Sequence, residues 1–329
     1  METISKYDLQ LLRHIFSMTE SSLLKSLPKV LENYYEKKNI HHTKNYIYVC
    51  GEIPVAIVCH LDTVHRQIMS DLYHDSKKYA LWSPQGLGAD DRAGVFSSLK
   101  LLECGYRPSL IMCTKEESGG IGATEFTKDY AAPAVKTNFL IELDRQGSVD
   151  SVYYDYNNEK FEEYINSYGF ITDWGTFSDI SIISPHWKIA AVNLSIGYIR
   201  EHTLSETLFY NDMFDTIEKV KKILDAEIEA DHTFEYIEQT YDSVYFSKWM
   251  TGTVQKYVGS SQRQCDCCGS YYSKDALTPV GDAHDYLILC PTCVSDYVGW
   301  CRECGRAYIE TYYTDGMCEH CFTKEKEVE

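Results

Sequence analysis

Positive charge is scarce in this chain. Its 31 Lys and Arg stand against 49 Asp and Glu, a formal net charge of −18 over 329 residues. That balance disfavours a nucleic-acid binder, because affinity for phosphates comes mainly from Lys and Arg. Long apolar runs are missing as well, and none approaches the length of a membrane span. The start "METISKYDLQ" is polar and has no hydrophobic signal region, so a soluble, cytoplasmic chain with no membrane partner is the expectation. No internal repeat and no low-complexity tract stands out. Cysteine, by contrast, is plentiful: 13 residues, eight of which group as C-x-x-C pairs. Without a secretion signal this pattern reads as metal binding in a reducing compartment rather than as disulfides. With 44% apolar residues the chain can bury a sizeable core, and its length suits two domains.

The apolar spacing sets the fold class. "YDLQLLRHIF" and "SLLKSLPKVLENYYEKK" repeat Leu, Ile and Val at helical intervals. Short β-rich runs follow: "NYIYVC", "PVAIVCH", "YALWS", "SLIMCT", "NFLIELD" and "IAAVNLSIG". Between them "DDRAGVFSSLKLLECG", closed by Gly105, and "GGIGATEFTKDYA" read as helices. "NNEKFEEYINSYG" reads as a helix, "FSDISII" as a turn, and "NDMFDTIEKVKKILDAEIEA" as an amphipathic helix capped by Asn211 or Asp212. Strand–helix alternation of this kind favours an α/β fold with a mixed, largely parallel sheet. The expected divisions are N-terminal helices over 1–44, a catalytic domain over 45–232, a connector over 233–264 and a Cys-rich segment over 265–329.

Chemically loaded residues cluster at the ends of the predicted strands, where open α/β sheets bind ligands. His60 and Asp62 close "AIVCH"; Asp90 and Asp91 open a helix after a Gly-rich loop; Glu116 and Glu117 follow "SLIMCT"; Asp144 ends "NFLIELD"; His202 follows "NLSIG". Taken singly, each has a plain structural reading. An H-x-D is ordinarily a hydrogen-bonded turn, and paired acids are ordinarily a helix cap with first-turn charges. Their recurrence at successive strand ends points instead to a ligand set for divalent ions such as zinc.

In order and content, "HLDTV", "GADDRAG", "EESGGIGA", "ELDRQG" and "EHTLSE" resemble the zinc-dependent exopeptidase superfamily with co-catalytic metals. That superfamily includes leucyl aminopeptidases, peptidase T and the aminoacylase group. The resemblance spans roughly residues 45–225. It implies a three-layer α/β/α, phosphorylase/hydrolase-like domain with two catalytic zinc ions, for which cobalt or manganese can substitute. His60, Asp90 and Asp144 would hold one ion, and Asp90, Glu117 and His202 the other. Asp62 would orient His60. Glu116 would act as general base, and the Asp90–Asp91 peptide would be cis. Asp90 is preferred over Asp91 because the family's bridging Asp is followed by one residue and then a basic one, here Arg92. Peptidase T-like members carry a lid domain between the third carboxylate and the last His. Here Asp144 and His202 are 58 residues apart, so the chain should be lidless. Asp179, Arg145, Tyr198 and Arg200 are then the candidates for substrate contacts, with capping and packing as their plainer roles.

The tail offers Cys265, Cys268, Cys290 and Cys293 as one C-x-x-C…C-x-x-C set and Cys301, Cys304, Cys318 and Cys321 as a second. Two such sets read as two structural zinc sites resembling zinc ribbons or treble clefs. Cys267 and His320 are alternative ligands, and the two sets could interleave. A segment this small rarely gains more than ~3–5 kcal/mol from its core, whereas a structural zinc contributes on the order of 10–16 kcal/mol. From Thr251 onward seven Lys or Arg face twelve Asp or Glu, the wrong sign for a phosphate binder. Its tyrosines suit a protein partner or self-association instead.

The whole reads as a metal-dependent hydrolase of peptide bonds, most simply an aminopeptidase acting on a peptide. A carboxypeptidase or an N-acyl-amino-acid amidohydrolase on the same site is the near alternative. An inactive peptidase-like scaffold that binds proteins through its zinc fingers is the distant one.

Overall fold

The computed structural model describes residues 4–154, 158–230, 232–238, 262–265, 271–273, 276–281, 286–300 and 307–309. The chain divides into two compact units, Met1–Asp242 and Ser243–Glu329.

The first unit opens with α1 (Lys6–Phe16) and α2 (Glu20–Leu31). Ser5 and Thr19 cap them by accepting the N–H of Asp8 and Ser22, which satisfies amides that no helical carbonyl can reach. Eight strands form the main sheet: β1 (Ile40–His42), β2 (Tyr46–Val49), β3 (Ile53–His60), β6 (Pro108–Cys113), β7 (Phe139–Arg145), β8 (Asp150–Val152), β9 (Ile171–Asp173) and β10 (Ala191–Ser195). Their order is β1-β2-β6-β3-β7-β10-β8-β9. The four central strands β6, β3, β7 and β10 are parallel, while β1, β2 and β8 pair antiparallel to their neighbours nearer the centre. β6 is buried throughout and β3 nearly so, as expected of parallel strands covered on both faces.

Helices make the outer layers. α3 (Ala89–Glu103) and α7 (Tyr210–Glu227) pack on the sheet together with α1, which lies against α3. α4 (Ile121–Asp129) and α6 (Asp179–Trp187) pack on it as a second pair. A smaller four-stranded sheet, ordered β11-β12-β5-β4, joins β4 (Tyr73–Asp75) and β5 (Ala80–Trp82) to β11 (Tyr198–Ile199) and β12 (Thr207–Phe209). The result is a three-layer α/β/α domain with a mixed sheet.

Three local expectations change. "FSDISII" is not a turn but runs into α6, because Ile180, Ile183 and Trp187 recur on one face and bury against the sheet. Tertiary burial outweighs the turn-like serines and Pro185. α7 starts at Tyr210, one residue ahead of the expected cap Asn211, with Phe209 in the cap position; Tyr210 is fully buried, so packing sets the boundary. "YALWS" lies in the smaller sheet rather than the main one. The helix read from "NNEKFEEYINSYG" is present as α5 (Glu159–Asn166). Phe234, at the start of the expected connector, exchanges backbone hydrogen bonds with Asn138 and Ala190.

Parallel register decides where chemistry can gather. His60 pairs with Cys113, and Val58 with Glu142. Glu142 in turn pairs with Asn193. The C-terminal ends of β3, β6, β7 and β10 therefore share one edge of the sheet. His60 ends β3, Glu116 and Glu117 follow β6, and Asp144 lies at the end of β7.

In the second unit the described strands pair as three hairpins, 262–264 with 271–273, 278–281 with 286–289, and 298–300 with 307–309. Cys265, Val280, Leu289, Cys290 and Cys293 form a small buried cluster. Cys267, Cys268, Cys301, Cys304, Cys318, His320 and Cys321 lie outside the described residues.

One close approach in the first unit is testable. α3 is buried on every side from Ala89 to Leu99, and at Gly94 an added Cβ would lie 2.5 Å from Leu143 O and from Asp91 Oδ1. Overpacking of this kind costs roughly 1–3 kcal/mol. Gly94→Ala is expected to lower unfolding free energy by that amount in a denaturant titration monitored by far-UV circular dichroism.

Candidate metal centre

The sheet edge brings together two imidazoles and five carboxylates. His60 is fully buried. Its Nε2 lies 3.1 Å from Asp90 Oδ1, 3.6 Å from Asp144 Oδ1 and 4.0 Å from Glu116 Oε2. Its Nδ1 faces Asp62 Oδ1 at 3.3 Å. His202 comes from the loop between β11 and β12, with a left-handed backbone (φ 62°). Its Nε2 lies 3.2 Å from Asp90 Oδ2 and 3.0 Å from Glu117 Oε2. Asp90 thus offers one oxygen to each imidazole.

Asp62 does two jobs. Besides facing His60, it accepts the backbone N–H of Glu116 at 3.0 Å and of Glu117 at 3.2 Å. It therefore ties the end of β3 to the loop after β6. That loop turns sharply: the N–H groups of Gly119 and Gly120 both donate to Glu116 O. Both glycines have positive φ, 88° and 64°, a region glycine enters without the Cβ penalty.

The neighbouring acid, Asp91, has a different task. It accepts the N–H of His60 (3.2 Å) and of Gly94 (2.9 Å), so both oxygens are spent on backbone. The Asp90–Asp91 peptide is cis. Asn193 holds Asp144 from behind, accepting its N–H and donating to its carbonyl, both at 3.0 Å. Tyr198 donates to Asp144 Oδ1 at 3.0 Å.

These groups line a cleft of about 280 Å³. Asp90, Glu116, Glu117, Asp144 and His202 form its floor, and Arg145, Tyr154, Phe177, Tyr198 and Glu201 contribute walls. Of the four residues read as substrate contacts, Arg145 and Tyr198 line this cleft. Asp179 is fully buried and Arg200 is exposed; neither is among the lining residues. Arg145 pairs with Asp173 at 3.1 Å.

The electrostatics are dominated by buried carboxylates that face two imidazoles. Burial pushes the Asp144 carboxyl well above its ordinary range, and the charge on Asp90 adds to the effect. Burial also raises Glu116, to about 7. Asp90 is held below its ordinary value despite burial, because His202 and His60 donate to it. His202 is pushed up to about 11, first by its hydrogen bond to Asp90 and then by that to Glu117. For His60, burial opposes charge, but Asp144, Asp62 and Asp90 outweigh it and leave its pKa raised. Among the described ion pairs no Lys or Arg reaches these carboxylates. Glu117 Oε1 is buried without a hydrogen-bond partner.

The residues fit divalent ions. His60, Asp90 and Asp144 offer ligand atoms within 4.8 Å of one another, as do Asp90, Glu117 and His202. His60 with Glu116 and Glu117 satisfies the same spacing. In the tail, Cys265, Cys290 and Cys293 form a fourth such group. There the Cys290 N–H points to Cys265 Sγ and the Cys293 N–H to Cys290 Sγ. The Cys290 thiol is pushed down to about 6, chiefly by that Cys293 amide.

Three residues escaped the sequence reading. Glu206 and His65 stand behind the Asp90 loop, and Glu201 lines the cleft beside His202. Glu206 belongs to the quoted "EHTLSE", but only its His drew attention. His65 follows "HLDTV" at an interval with no helical or strand logic.

A pH prediction follows from the crowding. A carboxyl that is harder to ionise when folded binds more protons in the native state, so its contribution to stability falls as pH rises above the ordinary value of ~3.9. After chelation, Asp144→Asn is therefore expected to resist denaturant better than the chelated wild type at pH 8. The gap should close toward pH 4, where the wild-type carboxyl is protonated as well.

No protein-family model matches the sequence, and no curated protein matches it. Solved structures do match in fold. A tripeptidase from Staphylococcus aureus subsp. aureus Mu50 superposes with a TM-score of 0.56 at 14% identity, over 69% of this chain and 100% of that one. The aminopeptidase PepT from Bacillus cereus gives 0.52 at 15% identity, over 69% and 100%. An aminopeptidase from the archaeon Desulfurococcus kamchatkensis gives 0.51 at 13% identity, over 68% and 95%. The chain shares a phosphorylase/hydrolase-like fold with these peptidases and carries a His/Asp/Glu cluster at the C-terminal edge of its sheet.

Proposed function

We propose that the cluster holds two zinc-type ions and that the chain is a metal-dependent hydrolase of peptide bonds, acting from a free N-terminus. The observation that carries this reading is Asp90, whose two oxygens face two different imidazoles. In it His60, Asp90 and Asp144 hold one ion and Asp90, Glu117 and His202 the other. Mixed nitrogen and oxygen donors suit zinc, with cobalt or manganese as substitutes. Such ions supply Lewis-acid chemistry: they polarise a carbonyl and acidify water. The fold shared with proteins described as aminopeptidases and a tripeptidase supports the substrate class.

The chain's own residues do the rest. Glu116 reaches the cluster with Oε2 and, raised to about 7 by burial, is poised to exchange a proton near neutral pH. It takes the proton of the attacking water on its carboxylate and gives it to the departing amine. Asp62 fixes Glu116 and Glu117 by their backbones and faces His60 Nδ1 at 3.3 Å, so base and ligands keep their spacing. Glu201, beside His202 on the cleft wall, adds negative charge that favours an ammonium group. Arg145 is the one Arg or Lys among the described lining residues, and Asp173 already pairs with it. Those charges favour reading an amine end over a carboxylate end.

In the tail, the reading assigns Cys265, Cys290 and Cys293 with Cys268 to one structural zinc. Cys301, Cys304, Cys318 and Cys321 are assigned to a second, and the tyrosine-rich surface to a protein partner or a second copy of the chain.

Two experiments test the catalytic reading. Glu116→Gln is expected to keep metal content and lose about 10²- to 10⁴-fold in kcat, measured with elemental analysis alongside turnover of a short peptide. Wild-type turnover in Glu116→Gln overturns the mechanism. An unblocked peptide should lose its first residue, and N-acetylation should prevent this, as read by mass spectrometry. Cleavage of the acetylated peptide at its C-terminal bond would reverse the polarity and make Arg145 the anchor. A fully metallated wild type that cleaves neither leaves the tail as the working part.

A further inference from the structure

Glu206 is fully buried and takes no part in the cluster. Its Oε2 accepts the N–H of Gly88 at 2.6 Å, and its Oε1 accepts the N–H of Asp90 at 2.9 Å. His65 Nε2 lies 2.9 Å from the same Oε2. The His65 ring is itself wedged against Gly86, where an added Cβ would lie 2.2 Å from Nδ1. Four residues before Glu206 stands His202, on the loop that joins β11 to β12. One carboxylate thus binds the segment carrying His202 to the segment carrying Asp90, although the two are more than a hundred residues apart in the chain.

We infer that Glu206 is a positioning residue that sets Asp90 between His60 and His202, with His65 as its brace. The inference rests on reading Asp90 as the ligand shared by two ions. The physical case is one of atom counts. Gly88 and Asp90 present two N–H groups, and the imidazole presents a third polar atom, all to one buried side chain. A carboxylate accepts on both oxygens. A glutamine has one acceptor and one NH₂, so either Gly88 or Asp90 would point its N–H at a donor. The loop must then shift, and the Asp90 oxygens with it. Outer partners that orient ligands in this way typically contribute 10- to 100-fold in metal affinity.

A buried acid with a merely structural role must be told apart, and the chain contains a matched one. Glu227 is also fully buried. It accepts from Asn138 at 2.6 Å and Tyr164 at 2.7 Å and faces His232 at 3.2 Å. It holds ordinary fold contacts at the end of α7 and touches none of the cluster.

The test uses the full chain, stripped with a chelator and titrated with Co²⁺. Thiolate charge-transfer absorption marks the tail, and d–d absorption that grows without it marks the nitrogen and oxygen sites. Glu206→Gln should weaken the second non-thiolate Co²⁺ by about 10- to 100-fold. His65→Gln should weaken it less, and Glu227→Gln should titrate as wild type while losing comparable thermal stability. If Glu206→Gln does not fold, Glu206→Asp keeps the charge, withdraws the acceptors by one methylene and should show the same selective weakening. Wild-type titration of the Glu206 variant, or equal weakening by Glu227→Gln, overturns the inference. Absence of non-thiolate Co²⁺ binding in wild type overturns the metal reading beneath it.

Discussion

Like charges crowded where water is excluded are the constraint around which this molecule is arranged. Asp62, Asp90, Glu116, Glu117 and Asp144 converge at one edge of a buried sheet, with two imidazoles and no Lys or Arg among their described ion-pair partners. Left to themselves, such groups would separate or take up protons. Rigid elements prevent the first. β3, β6 and β7 deliver their residues in fixed register, and α3 begins against the same edge with Gly94 pressed on Leu143 O. The apolar sheet therefore supplies the force that holds the polar edge together, and burial there raises the carboxyls of Glu116 and Asp144.

Around the acids lies a ring of backbone donors. Asp62 takes the N–H groups of Glu116 and Glu117, Asp91 those of His60 and Gly94, Glu206 those of Gly88 and Asp90. In each case a carboxylate holds the main chain of at least one residue of the cluster. The pairs Asp90–Asp91 and Glu116–Glu117 carry divided duties. One Asp faces the imidazoles while the other holds backbone; one Glu faces His202 while the other faces His60.

Much of this was legible in the sequence because strand ends are legible. A run such as "PVAIVCH" announces a buried strand, and a polar residue at its close is placed by the sheet without further information. His60, Glu116, Glu117 and Asp144 are of this kind. The α/β class with a largely parallel sheet followed from the same alternation, and the three-layer arrangement from the resemblance of the strand-end motifs. α6 was not legible, because Ser178 and its neighbours have turn composition and only the burial of Ile180, Ile183 and Trp187 makes them helical. Nor was Glu206: its partners are main-chain amides, which every sequence possesses everywhere. Of the smaller sheet only β5 was read, from "YALWS"; β4, β11 and β12 escaped for a related reason. Its strands are two or three residues long, too short for alternation to register.

The two imidazoles differ in one respect whose consequence is kinetic. His60 is sealed beneath the sheet edge, whereas the His202 side chain is 54% exposed on a loop that begins with left-handed residues at Arg200 and His202. Under the reading proposed above, the two halves of the cluster would exchange ligands at different speeds. The His202 half would open by moving one loop; in the other half His60 is fixed on β3, while Asp90 and Asp144 face the cleft. The outer half would then exchange its ligands faster than the deep one.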